Sequence, residues 1–89
     1  MRELLFQKLT LEDQQGRAHS YDYYVVIDEM DVGAFACESY GLRVAEEGGE
    51  SASVPHITCS IARIDELCEK VTAGGVTPMT LGDVVSDWL

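Results

Sequence analysis

The chain has 89 residues, 46% of them hydrophobic, with 16 acidic against 6 basic side chains and a formal net charge of −10. That length suits one domain, residues 1–89, and is short for two; the apolar content is that of a folded chain rather than a disordered one. The cations Arg2, Lys8, Arg17, Arg43, Arg63 and Lys70 are scattered with no two adjacent, so neither nucleic acid nor an anionic membrane surface, both of which require clustered positive charge, is an expected partner.

Two regimes of hydropathy follow one another. Up to about Ile57 apolar residues recur with period two, the mark of half-buried strands, and from about Ser60 with period three to four, the mark of amphipathic helices. The first strand is expected over about Glu3 to Glu12, with Leu5, Leu9 and Leu11 on one face. Asp13-Gln14-Gln15-Gly16 reads as a turn. The second strand runs from about Arg17 to Asp28, alternating Tyr21, Tyr23, Val25 and Ile27, and Glu29 to Gly33 reads as the next turn. A third strand covers about Ala34 to Glu46 with Tyr40, Leu42 and Val44 on one face. Gly48-Gly49 signals a hairpin, and a short fourth strand, about Glu50 to Val54, stops at Pro55, which has no N–H for a ladder. The first helix spans about Ile61 to Ala73 behind Ser60 or Thr58 as N-cap, and Gly74-Gly75 ends it. Thr80-Leu81-Gly82-Asp83 resembles a capping box that opens a second helix with the stripe Leu81, Val84, Val85 and Trp88.

Two helices, each ~10 Å wide, match the width of four strands spaced ~4.8 Å apart. The expected fold is therefore α+β: a four-stranded antiparallel β-meander over residues 1–57, followed over 58–89 by two α-helices packed on one face. An odd number of cysteines (Cys37, Cys59 and Cys68), no apolar run of membrane-spanning length and no cleavage-site pattern at the start point to a reduced cytoplasmic protein.

The segments Glu38-Ser39-Tyr40-Gly41-Leu42-Arg43-Val44 and Pro55-His56-Ile57-Thr58-Cys59-Ser60, with the ending Thr77-Pro78-Met79-Thr80-Leu81-Gly82-Asp83-Val84-Val85-Ser86-Asp87-Trp88-Leu89, resemble a small bacterial family of unknown function. Its members, of the Gram-positive anaerobe type, share a TPxTLxDVVxDWL tail. The resemblance implies a bacterial cytoplasmic origin and carries no activity with it.

No chemical motif is complete. His56 and Cys59 have HxxC spacing, but a structural zinc site takes four N/S ligands, normally as two close pairs, and there is no second pair. Cys59, near the start of a helix with His56 three residues away, is the best-placed thiol for nucleophilic chemistry, yet no orienting group or oxyanion donor is recognisable. The carboxylate clusters Asp28-Glu29-Asp31, Glu46-Glu47-Glu50 and Asp65-Glu66-Glu69 do not follow a calcium-loop pattern, and the glycines do not form a phosphate loop. No cofactor is expected and the balance is against an enzyme, the alternative being a small metal-binding or cysteine-dependent enzyme centred on His56 and Cys59.

The expected function lies instead on the sheet face that the helices leave open. Tight hairpins would set Leu9 opposite Tyr21, Leu5 opposite Val25 and Phe6 opposite Tyr24; Tyr24 opposite Cys37, Val26 opposite Phe35 and Tyr21 opposite Tyr40; and Val44 opposite Val54. Leu4, Phe6, Tyr24, Val26, Phe35 and Cys37 would then form one exposed apolar patch of ~400 Å² or more, the size that marks an interface. Its expected occupant is a protein, either a second copy as a homodimer or a different chain, in keeping with an interaction or regulatory module.

Overall fold

The computed structural model describes residues 2–33 and 35–89, with Val32 and Phe35 described by their backbone alone. In chain order the elements are β1 (Arg2–Glu12), β2 (Ala18–Val32), β3 (Phe35–Glu46), β4 (Ser51–Thr58), α1 (Ile61–Ala73) and α2 (Leu81–Trp88). The strands form one antiparallel sheet in the order β1-β2-β3-β4, and the ββββαα architecture read from the hydropathy pattern is the one observed.

The core lies where the two periodicities meet. Tyr21 and Tyr23 of β2 and Leu42 and Val44 of β3 are buried on the helix face of the sheet. Against them pack Ile64, Leu67, Cys68 and Val71 of α1, then Val76, Leu81 and Val85. The Tyr23 hydroxyl donates to the Val76 carbonyl at 2.8 Å, which satisfies two buried polar groups and ties the sheet to the inter-helix turn.

Both ends of α1 are set by local chemistry. The Ser60 hydroxyl accepts from the Arg63 N–H at 3.3 Å, as an N-cap does. At the other end Gly75 takes φ 58°, and the N–H groups of Gly75 and Val76 return to the carbonyls of Thr72 and Val71, a Schellman motif. A β-carbon on Gly75 would also meet Leu11 Cδ1 at 3.1 Å. At α2 the expected capping box is absent: Thr80 makes no side-chain cap. Its hydroxyl instead accepts from the Thr77 N–H at 3.1 Å, inside the preceding turn.

The register departs from expectation in each hairpin. Leu9 faces Tyr21 as expected, but β1 carries a bulge between Leu5 and Gln7, so Leu5 pairs with Tyr24 and Leu4 with Val25. One additional residue inverts everything N-terminal to it, which turns Phe6 into the core and Leu5 out of it. In the second hairpin Tyr24 pairs with Arg43, Val26 with Gly41 and Tyr21 with Glu46, where Cys37, Phe35 and Tyr40 were expected. Of the turn expected over Glu29 to Gly33, Glu29 to Val32 continue β2 instead. In the third, Val44 pairs with Ala52 and Leu42 with Val54. Both of these slides are even-numbered, so the faces of β3 and β4 are kept. β4 also runs past Pro55 to Thr58: the proline sits on an edge strand in a bulge opposite Gly41, where no ladder N–H is needed.

The long second hairpin shapes the molecule, whose principal extents are 54 × 24 × 17 Å. Among the described residues β1 pairs with β2 as far as Ile27, and β4 with β3 as far as Tyr40. Beyond them β2 and β3 continue as a two-stranded arm rooted at Asp28–Ser39 and running through Glu29–Glu38, Met30–Cys37, Asp31–Ala36 and Val32–Phe35.

Candidate functional site

The root of the arm is where the sequence candidates converge. Gly41 has no side chain because β4 passes directly over it: a β-carbon there would lie 2.3 Å from the Val54 carbonyl oxygen and 2.6 Å from Pro55 Cα. Opposite Gly41, between the pairs Leu42–Val54 and Tyr40–Thr58, β4 inserts Pro55, His56 and Ile57. His56 turns the chain with φ 55°, a left-handed conformation uncommon for a residue bearing a β-carbon.

This turn brings the imidazole onto the open face over the pair Asp28–Ser39. His56 Nδ1 lies 2.9 Å from Ser39 Oγ, and its Nε2 lies 3.8 Å from Asp28 Oδ2. The residue types are those of a hydrolytic triad, but the arrangement lacks a reachable nucleophile. Ser39 is only 2% exposed, so its hydroxyl is enclosed by the bulge and the sheet. The group acts as a clasp that holds the β4 bulge to the arm's root. A structural zinc site takes four ligands, and among the described residues no group of three or more His, Cys, Asp or Glu side chains converges around His56 and Cys59 or elsewhere.

Cys37 and Cys59 do meet. Cys37 lies on the arm opposite Met30, and Cys59 lies just past β4 in the turn to α1. The Cys37 thiol is raised in pKa by burial and by the Cys59 thiol beside it. Cys68, on the apolar stripe of α1, is buried, and desolvation pushes its thiol up to about 11.

The six residues expected to form one apolar patch are divided by the altered register. Tyr24 and Val26 are on the open face, where Arg43 stacks over the Tyr24 ring at 5.1 Å and pairs with Glu3 at 2.8 Å. Val26 is buried. Phe6 has gone to the helix side, its ring centroid 6.2 Å from that of Tyr23, and Leu4 pairs with Val25 on that side while remaining exposed. Cys37 and the backbone of Phe35 are carried out along the arm; the Phe35 side chain lies outside the described residues. The centre of the open face is thus polar-capped, with further cross-strand contacts Lys8–Asp22 and Thr10–Ser20.

A second cluster, not anticipated from the sequence, ties the sheet's opposite end. His19 Nδ1 meets Glu46 Oε1 at 2.6 Å and its Nε2 meets Asp13 Oδ2 at 3.0 Å. Its pKa is raised by Asp13 first and Glu46 second, and that of Asp13 is lowered by His19. Only the strand register, which sets residues 13, 19 and 46 at one edge, could have revealed it.

By architecture the chain is an α+β protein of four antiparallel strands roofed on one side by two helices. It belongs to a family of unknown function, DUF6514, whose model matches residues 2–89. No curated protein and no solved structure matches it. No helix among the described residues is long and apolar enough to cross a membrane.

Proposed function

We propose that the protein is a non-enzymatic interaction module of the bacterial cytoplasm, and that the β2–β3 arm is the element by which it grips a basic, extended segment of another protein. One observation carries the reading: among the described residues β2 and β3 run on together for five residue pairs, Asp28–Ser39 to Val32–Phe35, beyond their last pairs with β1 and β4. A two-stranded ribbon is at best marginally stable alone, so a long one gains from a third strand. Among the described residues no third strand pairs with either edge of the arm, and an unpaired edge is the template for strand addition.

Charge selects the partner. Glu29 and Glu38 stand directly opposite one another, an arrangement that repels. Arg2 already pairs with Glu38, Lys8 with Asp22 and Arg43 with Glu3, while Arg63 lies over Trp88, so few cations remain to neutralise the acids. A basic segment would relieve the Glu29–Glu38 repulsion, with Asp31 adding to the attraction. A second copy docking arm on arm would bring equal acids together. Met30, exposed on the other side of the ribbon, supplies an apolar and adaptable contact.

The test compares the full chain with one in which residues 29–38 are replaced by Asn-Gly, which closes a tight hairpin between Asp28 and Ser39. Both are used as bait in lysate of the native cell at low and high salt, and the mass of each is measured in solution. The reading predicts a partner held by the full chain, released by salt and lost with the arm. A partner retained without the arm would overturn it, as would an arm-dependent homodimer that salt does not affect.

A further inference from the structure

Cys37 and Cys59 belong to different parts of the molecule. Cys37 is on the arm, paired with Met30 and two residues from Ser39, whose hydroxyl meets His56 of the β4 bulge. On a strand, residues two apart share a face, so Cys37 is on the face over which β4 turns. Cys59 follows Thr58, the last β4 residue paired with β3, and precedes Ser60, the N-cap of α1. Both cysteines reach solvent, Cys59 freely and Cys37 in part, whereas Cys68 is buried.

We propose that Cys37 and Cys59 form a reversible disulfide that pins the root of the arm to the turn between β4 and α1. The backbone can give on both sides: Cys59 sits in a turn outside the ladder, and Cys37 on a ribbon with one neighbour. The oxidant is hydrogen peroxide. The Cys59 thiolate attacks a peroxide oxygen; the S–O bond forms, the O–O bond breaks and hydroxide leaves, giving a sulfenic acid. The Cys37 sulfur then attacks that of Cys59; the S–S bond forms, the S–O bond breaks, and the released oxygen takes up a proton and leaves as water. The two thiols together lose two electrons and two protons, and the peroxide is reduced to two waters. Cys59 takes the first step because it is exposed, whereas burial and its neighbour keep Cys37 a thiol for longer. The inference stands whatever the arm binds, since it needs only the two thiols.

The reduced full chain is treated with hydrogen peroxide and followed by intact mass and peptide mapping. The expected result is a loss of two hydrogens, restored by dithiothreitol, with the cross-link joining the peptides of Cys37 and Cys59. C37S should leave a dimedone-trappable sulfenic acid on Cys59, C59S should abolish the loss, and C68S should behave as the native chain. A cross-link to Cys68, bonds only between chains, or oxygen addition without the two-hydrogen loss would overturn the proposal.

Discussion

Replacing Gly41 by alanine probes the contact on which the arm's root is built. The added methyl group would lie 2.3 Å from the Val54 carbonyl oxygen and 2.6 Å from Pro55 Cα, whereas ordinary contact begins near 3.4 Å. The overlap is about 1 Å, and both obstructing atoms are backbone, so no side chain can swing aside. Relief requires the bulge to lift, which loosens the His56–Ser39 clasp. Forced overpacking costs about 1–3 kcal/mol. The entropy that alanine removes from the unfolded chain returns about 0.4–1 kcal/mol. Because the obstruction is backbone, the upper part of the overpacking range applies, about 2–3 kcal/mol, and the net destabilisation of about 1–2.5 kcal/mol should lower Tm by roughly 5–20 °C in a domain of this size. Gly82 in α2 is the matched control: nothing lies within 4 Å of its added methyl group, and alanine there should stabilise by about 0.5–1 kcal/mol. Calorimetry of the two variants decides the matter, and a Gly41→Ala protein as stable as the native chain would refute the reasoning.

Two further outcomes follow from the buried and charged contacts. The His19 pKa is raised above its usual 6.5, so its bonds to Asp13 and Glu46 stabilise the fold fully below that pH and lose their effect as pH rises through the raised value. Asp13 is lowered beneath 3.8, so its share is present above that pH and lost only as pH falls through the lowered value. Melting curves recorded from pH 6 upward should therefore fall more steeply for the native protein than for His19→Gln; parallel curves would contradict this. Tyr23→Phe removes the bond to the buried Val76 carbonyl and should cost about 1–2 kcal/mol in urea unfolding, whereas a loss within error would mean that water replaces the hydroxyl.

The order of elements was legible because alternation along Tyr21, Tyr23, Leu42 and Val44 gives way to helical spacing from Ile64 to Val71, and burial of one face fixes both patterns. What was not legible is where the alternation hides additional residues. Nothing in Leu4-Leu5-Phe6-Gln7 announces a bulge, yet that bulge exchanges Leu5 and Phe6 between faces. Gly41 and Pro55 did carry a signal for the β4 bulge, since a glycine inside a strand often marks close backbone approach. Glu29 to Gly33 read as a turn, although Met30 between Glu29 and Asp31 keeps the strand alternation. The meeting of His56 with Ser39, and of Cys59 with Cys37, depends on these bulges and on a slide of the second hairpin, and spacing along the chain encodes neither.

Site-resolved amide hydrogen exchange, on the free chain and on its complex with the captured partner, tests the arm directly. Amides of residues 29–33 and 35–38 should exchange far faster in the free protein than those of Leu42 and Val44, because among the described residues no third strand pairs with the ribbon, and should become protected on binding. Arm amides as slow as the core in the free chain, or unaltered in the complex, would contradict the assignment of the arm as the gripping element.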